Sequence, residues 1–236
     1  MNVLVIDVGG SHVKLALSGN ADARRFDSAP DLSPTQLIQQ VQTHTADWTY
    51  SVISLGIPAL CGPHGPVAEP GNLGVGWNGF DFGKAFNRPV RVVNDAALQA
   101  LGAYEGGRML FVGLGTGLGS TLIVERVVIP LELGELHNLD GENREHFGIR
   151  LGKQSLEKLG EARWKQLAIS ALCMFKDAFF ADYVVIGGGH ASLIDPLPKG
   201  VRRGGNDDAF TGGFRLWEEN VEPHDAPPST AFRVVR

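Results

Sequence analysis

The chain is poor in the features that most quickly assign a protein to a class. Among 236 residues there are two cysteines, Cys61 and Cys173, too far apart in sequence to form a CxxC pair. The seven histidines are scattered, so neither a disulfide framework nor a zinc cluster is expected, and two reduced, packed thiols are the simpler reading. Positive charge is also scarce: 21 Lys and Arg against 26 Asp and Glu give a formal charge of −5. That balance argues against nucleic acid or an anionic membrane as the main partner. Any phosphate must then be held by backbone N–H groups and a few placed cations. The longest uncharged apolar run, Met109 to Val124, is too short and too rich in glycine to span a bilayer. The chain opens directly into an apolar strand carrying Asp7, so a cytoplasmic location is expected. Both familiar glycine signatures of nucleotide binding are missing, because Leu118 breaks G-x-G-x-x-G and no G-x-x-x-x-G-K-[ST] occurs.

What the chain does have is glycine, 31 residues of it, concentrated where apolar strands turn. Residues 3–8 and 13–17 read as strands around "GGSH", and 109–124 repeats the plan around "GTG", followed by a third strand in "RVVIPL". Ser33-Pro34-Thr35-Gln36 is a capping box with proline at N1, which predicts a helix to about His44. Buried strands are expected at 50–57, 90–93 and 183–189. Helices are expected from Asp95, over 161–180, and more weakly over 207–220. The polar stretch after Glu132 reads as a loop. Strands alternating with helices predict an α/β fold. The repeated strand–glycine turn–strand unit predicts two similar lobes, with both turns at one cleft between them.

The two turns carry side chains suited to phosphate. In "DVGGSHVK" the amides of Gly9 and Gly10, the Ser11 hydroxyl and Lys14 form a candidate anion nest, with Asp7 placed to hold Mg²⁺ through water. In "GTGLGS" the Thr116 hydroxyl and the amides of Gly115 and Gly117 are offered to a second phosphate group. Two tight hairpins in which glycine only supplies a positive φ remain the plain alternative.

Four ordered segments, "IDVGGSHVK", "VVNDAALQALGAYEGG", "LFVGLGTGLGSTLIVERVVIPLELGEL" and "VVIGGG", resemble the ROK sugar kinases of the actin/hexokinase/Hsp70 superfamily. Within that family the chain is most similar to the polyphosphate/ATP glucokinases, which share its short length and lack the cysteine-rich zinc motif. The resemblance implies two ribonuclease-H-like lobes: an N-terminal lobe over 1–97, a C-terminal lobe over 98–206, a helix over 207–220 returning to the first, and a tail over 221–236. It implies phosphoryl transfer from ATP or polyphosphate, with Mg²⁺ and without zinc, to a hexose such as glucose. Asp95 would be the general base. Asn72, Asn94, Glu132 and the neighbouring Glu135 would face the sugar, and Gly187, Gly188 and Gly189 a nucleotide. The family commonly forms homodimers. Its pattern also breaks here, with Glu135 in place of a histidine, Ala59 in place of a glycine and Ala97 in place of Asp or Asn. The alternatives are a non-catalytic sugar sensor like the ROK repressors, a degenerate kinase, or a kinase for another hexose.

Overall fold

The computed structural model describes residues 1–62, 64–137, 145–205, 207–218 and 232–235. The rest of the expected 207–220 helix, most of the expected tail and part of the polar stretch after Glu132 lie outside the described residues. The chain divides into two units. The first comprises the described residues of Met1–Gly102 and Asp207–Phe232, the second those of Ala103–Asn206 and Arg233–Val235.

The first unit opens with β1 (Val3–Val8), β2 (His12–Leu17) and β3 (Ala23–Asp27), an antiparallel meander. Helix α1 (Pro34–His44) follows, its start fixed by the expected capping box: Ser33 N–H donates to Gln36 Oε1 at 2.8 Å and Gln36 N–H to Ser33 Oγ at 3.4 Å. Next come β4 (Val52–Ile57), a small hairpin of β5 (Cys61–Gly62) and β6 (Gly65–Pro66), α2 (Phe82–Phe86), β7 (Val90–Asn94) and α3 (Asp95–Ala103). The sheet order is β3-β2-β1-β4-β7, with β4 and β7 parallel to β1. One face packs Leu4, Ile6, Val13 and Leu15 against Leu37 and Val41 of α1 and against Trp77 and Phe82. The division into units falls at the C-terminal end of α3, between Gly102 and Ala103.

The second unit repeats the plan with β8 (Arg108–Leu114), β9 (Leu118–Val124) and β10 (Val127–Leu131) as its meander. Two short helices, α4 (Phe147–Leu151) and α5 (Lys153–Leu159), lead into α6 (Glu161–Ala178). Strands β11 (Tyr183–Gly187) and β12 (Val201–Arg203) then add in parallel beside β8. Trp164, Leu172 and Phe175 of α6 cover Leu110, Val112, Val184 and Ile186.

After the second unit, α7 (Asp208–Arg215) belongs to the first. Gly212 and Gly213 allow its backbone to approach Leu98 and Val5 so closely that a Cβ would overlap them. Ser54 Oγ donates to Gly213 O at 2.5 Å, and Trp217 Nε1 donates to Ser54 Oγ at 2.9 Å. Finally β13 (Arg233–Val234), in the stretch expected to be tail, pairs with β10.

The α/β expectation therefore holds, with additions. Strand β3, "ARRFD", alternates exposed and half-buried residues and carries no apolar run to betray it. Helix α4 begins within the stretch expected to be loop, and α5 lies just beyond it. No helix among the described residues is long and apolar enough to cross a membrane.

Candidate functional site

In the first unit the candidate residues gather at the carboxyl ends of the parallel strands, where open α/β sheets place ligands. Asp7 lies one residue before the end of β1, with Lys14 and Gly56 as its cross-strand neighbours. Asn94 ends β7 and Asp95 opens α3, two strand spacings away, roughly 10 Å. Asp7 is 6% exposed, and Lys14 Nζ lies 3.8 Å from its Oδ2. Burial pushes the Asp7 carboxyl above its ordinary range, and the Lys14 charge offsets this only in part.

The first turn is not quite the nest expected of it. Gly9 N–H donates to His12 O at 3.0 Å, closing the hairpin, so that amide is spent. Gly10 and Ser11 are exposed, and the amides of both and the Ser11 hydroxyl donate to none of the described residues. These donors, with Lys14, are what the turn has left for an anion.

Asn94 is fixed on both sides: Nδ2 donates to Ala59 O at 3.2 Å and Oδ1 accepts from Ala96 N–H at 2.9 Å. Asp95 is half-buried in the first turn of α3, and its Oδ1 lies 2.9 Å from the same Ala96 N–H. Asn72 is half-buried, and its side chain hydrogen-bonds none of the described residues. Its loop is held instead by Glu69, whose carboxylate accepts from Trp77 N–H at 3.0 Å and Asn78 N–H at 3.4 Å. The Trp77 bond, the larger influence, holds the Glu69 carboxyl below its ordinary range. Trp77 is fully buried and donates its Nε1–H to Leu32 O at 3.2 Å.

The second unit collects its candidates at the corresponding edge. Gly115 N–H donates to Gly117 O at 3.1 Å, so this turn, like the first, uses its leading glycine amide on itself. The amides of Thr116 and Gly117 remain. Gly115 and Gly117 have no positive φ, and a Cβ on either would meet nothing within 4 Å. Neither backbone conformation nor protein packing explains these two glycines.

Gly187 ends β11 opposite Gly113 of β8. Gly188 is structural, since its φ is +81° and a Cβ would lie 2.3 Å from Leu114 O. Gly189 again faces open space.

Glu132 follows β10 directly, and Glu135 N–H donates to Glu132 O at 3.0 Å to make one tight turn. Glu132 is exposed, yet partial desolvation first, and the like charge of Glu135 second, push its carboxyl above its ordinary range. Glu135 is exposed, and its Oε2 lies 3.6 Å from His146 Nδ1. His137 pairs with His146. Its ring lies tilted by 42° against His146 with centroids 3.8 Å apart, and the two residues form an isolated bridge.

No protein-family model matches the sequence, and neither does any curated protein. Solved structures do match. An inorganic polyphosphate/ATP-glucomannokinase from Arthrobacter sp. strain KM superposes with a TM-score of 0.77 at 20% identity, over 89% of this chain and 96% of that one. A ROK family glucokinase from Streptomyces griseus, in complex with glucose and AMPPNP, gives 0.72 at 13% identity, over 90% and 97%. The chain has the ROK fold. The same fold serves regulation, since a ROK family transcriptional regulator described as a homologue of E. coli MLC matches at 0.66 and 15% identity, over 90% of this chain and 76% of that one.

The ROK fold as this chain builds it includes supporting residues that sequence spacing did not reveal. Gly134, Gly148 and Gly152 pack backbone to backbone: a Cβ on them would lie 2.9 Å from Leu118 O, 3.2 Å from Gly134 O and 2.5 Å from Thr116 O. Lys153 N–H also donates to Thr116 O at 3.3 Å. The Thr116 turn and the Glu132 turn are thereby locked to each other through α4 and α5. Only contact across distant segments reveals this, so no local motif could have announced it.

The fold's implied Mg²⁺ can be tested against the residues present. Among the described residues no three His, Cys, Asp or Glu side chains form a metal cluster. Asp7 offers a single buried carboxylate whose charge Lys14 compensates only in part. That donor set fits an ion carried mostly by water and substrate oxygens, as Mg²⁺ commonly is.

Proposed function

We propose that this protein is a sugar kinase that transfers the terminal phosphoryl group of ATP or inorganic polyphosphate to a hexose, most simply the 6-hydroxyl of glucose. The observation that carries the reading is the pair of glycines around Thr116, open to space and free of any internal reason to be glycine. The Arthrobacter and Streptomyces kinases that share the fold support it.

In this reading the amides of Thr116 and Gly117 and the Thr116 hydroxyl hold phosphoryl oxygens in the second unit, and Gly10, Ser11 and Lys14 are the hydrogen-bond donors to phosphate in the first. Gly187 and Gly189 border a nucleotide, and Gly188 turns the chain between them. Asn72, Asn94, Glu132 and Glu135 bind sugar hydroxyls. Glu132 does so as a carboxylate that accepts hydrogen bonds. The hydroxyl oxygen attacks phosphorus and forms the new P–O bond. The bond to the leaving phosphate breaks and its electron pair departs with that group, while Asp95 takes the hydroxyl proton. Mg²⁺, associated with Asp7 through water, would neutralise phosphate charge. Alignment supplies most of the rate, because phosphoryl transfer needs little covalent assistance from the protein.

Glu135 favours a second reading, a sugar-binding protein without turnover, because it replaces the family's imidazole with a carboxylate and the fold also serves a regulator. A coupled assay crossing a hexose panel with ATP and with polyphosphate, in Mg²⁺, separates the two. Sugar-dependent phosphoryl transfer is expected. Sugar binding by calorimetry without transfer from either donor would replace the first reading with the second.

A further inference from the structure

Ser120 sits in the middle strand of the β8–β9–β10 meander, opposite Val112 on one side and Leu131 on the other, and is 2% exposed. A buried hydroxyl in that position needs partners. Its Oγ donates to Leu131 O at 2.9 Å and accepts from Leu133 N–H at 3.0 Å. Those two backbone groups flank Glu132, where the chain leaves β10 with φ −118° and ψ 59°. The hydroxyl therefore continues the ladder past the end of the strand and spans Glu132, the first residue of the turn that Glu135 closes. Leu133 is 3% exposed, so without Ser120 its N–H has no water to fall back on.

Resting on the kinase reading above, we infer that Ser120 is a positioning residue for Glu132, fixing the direction of the carboxylate that receives the sugar. Ser120 touches neither substrate. It acts through the two peptide groups it clamps. Because β9 begins at the Thr116 turn, the strand that carries the donor contact also sets the sugar contact.

Ser120→Ala removes both bonds while leaving the strand. Its expected effect is a rise of roughly tenfold in the sugar KM, with the donor KM within about twofold, as misplacement of a binding group away from the chemistry produces. Ser120→Thr keeps the hydroxyl and restores the sugar KM. Equal rises in both KM values, no change in either, or a Thr variant no better than Ala would each overturn the inference.

Two measurements on the protein without substrates judge it independently of turnover. Amide exchange at Leu133 should accelerate by roughly tenfold or more in Ser120→Ala. The Glu132 carboxyl, followed by carbon NMR, should titrate at lower pH as it gains solvent, with Glu135 the like charge acting on it and the His146 ring 3.6 Å from the Glu135 carboxylate. If the wild-type protein transfers no phosphoryl group to any hexose, the kinase reading fails by itself. Unchanged exchange and titration would overturn the Ser120 assignment whether or not the enzyme turns over.

Discussion

Gly117→Ala is expected to separate folding from function. The backbone at Gly117 has no positive φ, and an added methyl would meet no protein atom within 4 Å. Replacing glycine by alanine where the native conformation suits both stabilises by about 0.4–1 kcal/mol, chiefly by restricting the unfolded chain. For a chain of this length that corresponds to a melting temperature higher by about 1–4 °C. The same methyl would occupy the space next to the Thr116 and Gly117 amides. Loss of one charge-assisted hydrogen bond to phosphate costs about 1.5–3 kcal/mol, a rise of about 10- to 150-fold in donor KM. Gly188→Ala is the control: with φ at +81° and Leu114 O 2.3 Å from the new Cβ, it should lower the melting temperature. Differential scanning fluorimetry and donor-varied kinetics on the same preparations give both quantities. A Gly117→Ala protein that melts lower, as Gly188→Ala should, or whose donor KM stays within twofold of wild type, would refute the claim that this glycine makes room for a ligand.

Three further outcomes are expected. Asp95→Asn should melt within about 2 °C of wild type and lose at least 10²-fold in kcat, the lower range for removing a general base; near-normal turnover would remove Asp95 from that role. Glu135→Gln removes the like charge that helps push Glu132 upward, so the acid limb of sugar kcat/KM should move to lower pH; an unmoved limb would mean that Glu132 is not the titrating group. Asp7 titrates above its unfolded value, so the native state holds the proton more tightly, and stability declines as pH rises from the unfolded value through the raised one. Lys14→Met should deepen that decline in urea melts between pH 3 and 8, and identical profiles would contradict the proposed Asp7–Lys14 coupling.

The legible parts of the fold were those with local causes. The capping box at Ser33–Gln36 and the apolar runs of the two hairpins are written within a few residues of where they act. Strand β3 was hidden because only Phe26 among its residues joins the core, so no apolar run marks it. At the candidate site, glycine spacing located both turns but could not say which amides remain for a ligand. Gly9 and Gly115 spend theirs closing their own hairpins, a matter of backbone geometry. Glu69, Ser120, Gly148 and Gly152 escaped notice for a related reason. Each works by meeting a backbone group that is remote in sequence or has no side-chain signature.

The internal repeat also explains why the two hairpins carry different chemistry. In each unit the first strand has an antiparallel partner on one side and a parallel partner on the other, and the residue one step before the turn can be compared across both. In the first unit that row reads Gly56, Asp7, Lys14; in the second it reads Gly187, Gly113, Gly119. A buried carboxylate is costly even beside a lysine, as the upward displacement of Asp7 records. Repeating it in the second row would put another anion beside a turn proposed to hold phosphate. Like charges at such range are costly wherever water is excluded. Glycine in all three positions removes that repulsion and leaves amide dipoles as the means of holding an anion. Asymmetry in charge within a repeated backbone thus leaves the first turn a carboxylate and a lysine, and the second turn amide dipoles alone.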